Sequence, residues 1–205
     1  MAFEEAESSY QKVLAARPGA ELEKQAQRNL ASLYHAWARF APGQAKARLA
    51  AAIKLYEGLQ PECALELAGA YAEAGESGKA QAIYSKTLGG GVTAEPKRLM
   101  AQTNYALMTK DGALAGAVCA CWATVAADGA ELREARLKAL CVRAYLLLCK
   151  EDAGALPAYA EAKRFAGEKG LALDAEAEHN AGVAAHLQAV KAAAAAQPLK
   201  GGEAV

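Results

Sequence analysis

Apolar side chains along this chain recur three and four residues apart rather than on alternate positions. The clearest stretch runs from Pro61 to Leu88. Leu65, Ala68, Tyr71 and Ala72 form one helical stripe, and Ala80, Ile83, Tyr84 and Leu88 form the next, with Gly75 in the turn region between them. The opening residues carry a stripe of the same kind: Phe3, Tyr10, Val13 and Leu14. No stretch shows sustained strand alternation. The pattern predicts an all-α chain of ten helices, over residues 2–17, 20–39, 43–59, 62–74, 77–88, 95–110, 113–127, 130–149, 153–168 and 174–197. Breakers mark the joints: Pro18-Gly19, Pro42-Gly43, Pro61, Gly89-Gly90-Gly91, Asp128-Gly129, and Gly167 with Gly170. With no linker long enough to separate two domains, residues 1–197 are expected to be a single helical domain and 198–205 a loose tail.

The stripes repeat. Ala31, Ala68, Ala106, Ala144 and Gly182 follow one another at a nearly constant interval of about 38 residues. The residues just before them are Leu30, Leu67, Tyr105, Arg143 and Ala181; three residues after them come Tyr34, Tyr71, Thr109, Leu147 and Ala185. A second register follows, with Ala80, Ala117 and Ala155 each leading by four residues to Tyr84, Cys121 and Tyr159.

In its Pro61–Leu88 unit the chain resembles the tetratricopeptide repeat. Leu67-Ala68, Tyr71 and Gly75 match that family's first helix, and Ala80, Tyr84 and Thr87-Leu88 its second. Phe3, Ala6, Tyr10, Val13-Leu14 and Pro18 match a second helix, and Leu30-Ala31 with Tyr34 a first one. Beyond about residue 110 the likeness decays: Arg143 stands for a leucine, Cys121 for an aromatic and Ala185 for a tyrosine. The period is also longer than the family's usual one of about 34 residues.

The resemblance implies a right-handed α-α superhelix whose first helices line a concave protein-binding face. It places Asn29, Asn104 and Asn180, each two residues before a small residue, on that face, where an amide can bond a peptide backbone. The family's two-carboxylate clamp needs basic groups at set groove positions over three repeats. Arg28 and Asn29 supply a fragment of it, but Glu66 stands at the corresponding place in the next repeat and would repel a carboxylate. Chaperone docking of that kind is therefore not expected. The resemblance also makes the first helix a second-type helix without its mate. Phe3 and Tyr10 then either dock on a partner subunit or are satisfied within the chain.

Composition narrows the function. The chain has 205 residues, and 23 basic side chains balance 23 acidic ones, so it lacks the basic footprint of nucleic-acid binders and of proteins drawn to acidic membranes. Alanine is about a quarter of the chain, which favours helix and close helix approach. The acidic start, Met1-Ala2-Phe3-Glu4-Glu5, has no secretory character, and no apolar run is long enough to span a bilayer. Cytoplasm or an organelle matrix is the expected location. Five cysteines without framework spacing read as reduced, packed thiols.

His179 and His186 share a face without a third ligand, Cys119 and Cys121 point apart, and Gly89-Gly90-Gly91 lacks the ending of a phosphate loop. Trp37 and Trp122 read as core fillers or interface anchors, with core the favoured reading. No catalytic group, metal site, cofactor or small-molecule substrate is expected. The reading is a scaffold or adaptor subunit of a multiprotein assembly, binding other proteins through its concave face and exposed helix ends. The alternatives are a receptor for short linear peptides and, further off, an RNA-binding helical repeat.

Overall fold

The structure, a computed structural model, describes residues 2–126 and 129–196. Among these residues it is all-helical, with ten α-helices and no strand. The expected tail, 198–205, and part of the Asp128-Gly129 joint lie outside the described residues.

The chain forms two compact units, Met1–Gly91 and Val92–Val205. The first holds α1 (Ala2–Ala15), α2 (Ala20–Phe40), a 3-10 turn at Pro42–Gln44, α3 (Ala45–Gly58), α4 (Ala64–Glu73) and α5 (Ser77–Thr87). Each helix packs on its neighbours in sequence: α1 on α2, α2 on α3, α3 on α4 and α4 on α5. Short connections make such neighbours antiparallel hairpins. Gly75, at φ 80°, closes the tight turn after α4 in a conformation that a side chain would strain.

The inward face of α2 reads Ala26, Leu30, Ala31, Tyr34, Trp37 and Ala38, a helical stripe that is buried throughout. Phe3 of α1 stacks on Trp37 at 5.3 Å between ring centroids and lies 5.9 Å from Phe40. Of the two readings of the first helix, the chain itself therefore supplies Phe3 with a partner. Tyr10, Val13 and Leu14 are half-buried, while Phe40 remains 76 % exposed.

The second unit holds α6 (Pro96–Thr109), α7 (Gly112–Trp122), α8 (Ala130–Cys149), α9 (Ala155–Lys169) and α10 (Ala175–Ala196). Here alternate helices touch as well, α6 on α8 and α8 on α10. Asp111 caps α7 by accepting from Leu114 N at 2.9 Å, and Asp174 caps α10 by accepting from Ala177 N at 2.7 Å. Gly170, at φ 66°, ends α9 in the left-handed cap position that favours glycine. The main core joins Leu99, Val118, Trp122, Leu137, Leu140 and Phe165.

Four of the five aligned small residues, Ala31, Ala68, Ala106 and Ala144, are fully buried, whereas Gly182 on α10 is exposed. The second register differs in α7. Ala117 is exposed and Cys121 half-buried; Val118 and Trp122, one residue further on, are wholly buried instead. They follow Ala80 and Tyr84 by the same interval that separates Ala68 from Ala106, so the spacing is kept and the inward aromatic is a tryptophan. Helix α7 also stops at Trp122, short of the expected residue 127. Both tryptophans are core residues.

Candidate functional site

Most of the residues expected to bind lie on two surfaces, one in each unit. In the first unit α2 and the α4 region are joined by a ladder of charges with the period of the repeat. Lys24 Nζ lies 3.8 Å from Glu62, Arg28 Nη2 3.2 Å from Glu66, and His35 Nε2 3.1 Å from Glu73. The two members of each pair stand one full repeat apart in the sequence. Arg39 donates to Glu73, with Nε at 3.3 Å, while His35 Nε2 lies close to the carboxylate without hydrogen-bond geometry.

Arg28 and Glu66 thus meet each other, and the hydrogen bond to Glu66 raises the already high pKa of Arg28. Asn29, from the same set, accepts from Gln25 Nε2 at 2.9 Å along its own helix. At Glu73 burial pushes the pKa up, but the nearby His35 imidazole and Arg39 guanidinium outweigh it and hold the carboxyl at about 2. Pairs this exposed stabilise by only about 0.2–1 kcal/mol each. Their consequence is occupancy: these side chains already have partners.

The same holds at the other end of the unit. Glu7 of α1 accepts from Tyr34 OH at 2.6 Å and from Arg48 Nη1 of α3 at 3.3 Å. The Arg48 guanidinium lies 3.6 Å from the centre of the Trp37 ring. This knot fastens α1 to α2 and α3.

The second unit differs. A cleft of about 600 Å³ opens between α8 and α10, closed at one end by the 171–174 loop and lined also by Leu107 and Tyr159. Its α8 wall presents Glu134, Leu137, Lys138, Cys141, Val142 and Tyr145, one face of a helix. Its α10 wall presents Glu176, Ala177 and Asn180. Leu137, Val142 and Tyr159 are buried at its base, while Glu134, Lys138, Asp174 and Glu176 are exposed at its rim. A volume of this order suits a small ligand or a few side chains of another protein.

Tyr159 is the most telling lining residue. Only 2 % of it is exposed, and its hydroxyl is buried with no hydrogen-bond partner among the described residues. Leaving such a group unsatisfied costs about 1–3 kcal/mol. Burial, with smaller contributions from Cys141, Cys149, Glu176 and Tyr145, pushes its pKa up to about 12, so the hydroxyl keeps its proton at neutral pH. Cys141 beside it is pushed by burial to about 11, as is Cys119, which donates to Ala139 O at 3.2 Å. Protonated thiols are poor nucleophiles and poor metal ligands.

The expected binding residues are therefore divided. Arg28 and Glu66 are paired with each other, Asn29 bonds within its helix, Asn104 is half-buried on α6, and Asn180 lines the cleft. The loop residues and Tyr159 were not singled out for binding by sequence. Their signal, an aromatic that packs inward beside a polar wall, emerges only once α8, α9 and α10 are assembled. Five free cysteines are present; Cys63 and Cys119 are buried, Cys121 and Cys141 half-buried, and Cys149 is exposed rather than packed. Among the described residues no group of three or more His, Cys, Asp or Glu could hold a metal ion, and no helix is long and apolar enough to cross a membrane.

The fold and the cleft define an all-helical chain with a ligand-sized concavity. Compared with known proteins, it matches no family model, no curated protein and no solved structure.

Proposed function

We propose that this chain is a protein-binding scaffold or adaptor, a helical-repeat protein of the tetratricopeptide kind whose hairpins recur at an interval of about 38 residues. Within each unit, the right-handed stacking of successive hairpins is part of the proposal. The partner is another protein, a subunit of an assembly, and the docking point is the α8–α10 cleft. The chain acts by binding rather than by catalysis, in the cytoplasm or an organelle matrix.

One observation carries this reading. The cleft combines an apolar base of Leu137 and Val142 with a polar rim and the amide of Asn180, which can pair with the backbone of a docked segment. The buried Ala31, Ala68, Ala106 and Ala144 support the repeat reading, because small residues let helices approach closely where they cross.

The test is affinity purification from the native source, with lysine-reactive cross-linking, of the wild-type chain and of Ala172→Trp. Ala172 is exposed in the loop at the cleft, so a bulky side chain there obstructs the opening without entering the core. The expected outcome is a partner that cross-links to Lys138 at the rim and is lost from Ala172→Trp. A full set of partners retained by that variant would refute the reading.

A further inference from the structure

We propose that the α8–α10 cleft selects a partner segment in which an apolar side chain lies close to a lysine or arginine. This rests on the scaffold reading and specifies the chemistry of its partner.

Charge around the cleft is unbalanced. Among the described residues its rim carries three carboxylates, Glu134, Asp174 and Glu176, against one ammonium, Lys138. One oxygen of Asp174 already accepts from Ala177 N at 2.7 Å, which fixes the carboxylate in place. An acidic or phosphorylated segment would meet repulsion here, and a basic one attraction. In the first unit, by contrast, Glu62, Glu66 and Glu73 each already face Lys24, Arg28, or His35 and Arg39.

The base of the cleft sets the second requirement. Leu137 and Val142 are buried there, with half-buried Leu171 and Leu173 of the loop beside them. An apolar side chain seated on this surface supplies the affinity, while the exposed rim charges supply discrimination and faster encounter. The third requirement is a partner for the amide of Asn180, half-buried in the cleft lining one helical turn from Glu176. A peptide backbone offers both C=O and N–H; a simple organic ammonium offers no acceptor. The peptide is therefore the occupant that meets all three.

The test uses the full chain and capped synthetic octapeptides read by fluorescence polarisation. Each carries one Leu and one Arg, separated by none to three serines. Leu/Glu and Ala/Arg versions serve as counterparts, and phenethylamine serves as a free-amine competitor. The best Leu/Arg peptide is expected to bind about tenfold or more tightly than its Leu/Glu counterpart. Its affinity should fall as salt rises.

The double variant Glu134→Lys/Glu176→Lys, both positions exposed, should erase or reverse that preference. Asn180→Ala should weaken all peptides alike by a few-fold, with circular dichroism confirming that both variants are folded. The inference is overturned if Leu/Glu peptides bind equally well, if charge reversal changes nothing, if no peptide binds, or if phenethylamine binds as tightly as the best peptide. If the native partner is nonetheless lost from Ala172→Trp, the scaffold reading survives that failure; if the partner is retained there, it is the scaffold reading that falls.

Discussion

The two units of this chain use similar helical hairpins and differ in what becomes of the residues expected to bind. In the first, charges at the repeat spacing answer one another: Lys24 with Glu62, Arg28 with Glu66, His35 and Arg39 with Glu73. Arg48 answers Glu7 in the same way. In the second, a cleft opens between α8 and α10, and Tyr159 is buried with its hydroxyl unpaired among the described residues. A surface whose side chains are already paired must break those pairs before it can bind anything else. A cleft with an apolar base and exposed rim charges has no such pairs to break. On a repetitive chain, function is to be sought where the repeat opens a cleft.

The comparison can be broken most forcefully at the cores. Trp122→Ala removes a wholly buried indole from the main cluster of the second unit and should destabilise it by about 3–5 kcal/mol. Hydrogen exchange should show α6 to α9 opening first. Ala68→Leu overfills the fully buried site on α4 and should cost the first unit about 1–3 kcal/mol, read by denaturant titration.

A pair of hydroxyl deletions sharpens the contrast directly. Tyr34→Phe removes a bond to Glu7 and leaves the carboxylate with one partner fewer, a loss of about 1.5–3 kcal/mol for a bond to a charged group. Tyr159→Phe removes a hydroxyl with no partner among the described residues and should leave the ligand-free chain unchanged or more stable by about 1 kcal/mol. Thermal melts of the two variants should therefore move in opposite directions, or the second not at all.

The smallest effect is in pH. Glu73 is held at about 2 in the folded chain against an ordinary 4.5. A depressed carboxylate contributes stability that is present above its unfolded value and is lost as pH falls toward the folded one. Stability should thus decline between about pH 4.5 and pH 2, and less steeply in Glu73→Gln. Urea midpoints across that window measure the difference.

Much of this was legible in the sequence. The stripes and breakers marked ten helices, and most boundaries lie within two residues of those observed, because Pro, Gly and apolar period act locally. The repeat register is misplaced by one residue in α7. Alanine is so frequent that Ala117 matched as well as Val118, and only burial separates them. At Arg143, where a leucine was expected, the guanidinium is half-buried and lies 3.1 Å from Glu161 of α9. The position is filled by an ion pair between helices rather than by apolar packing.

The binding residues were harder. Arg28 and Glu66 looked like ligand groups because their mutual contact joins positions a full repeat apart, a tertiary fact. Asn180 lines the cleft, but the groups that give that cleft its character come from α8, α9 and the loop before α10, which no local pattern links.

The most direct measurement is hydrogen–deuterium exchange of the full chain, alone and saturated with the partner that co-purifies with it. Slower exchange on binding should concentrate in α8, the 171–174 loop and the first turns of α10, with α2 and α4 unchanged. Protection centred on α2 and α4 instead would mean that the paired surface is the one that binds, and would contradict the account.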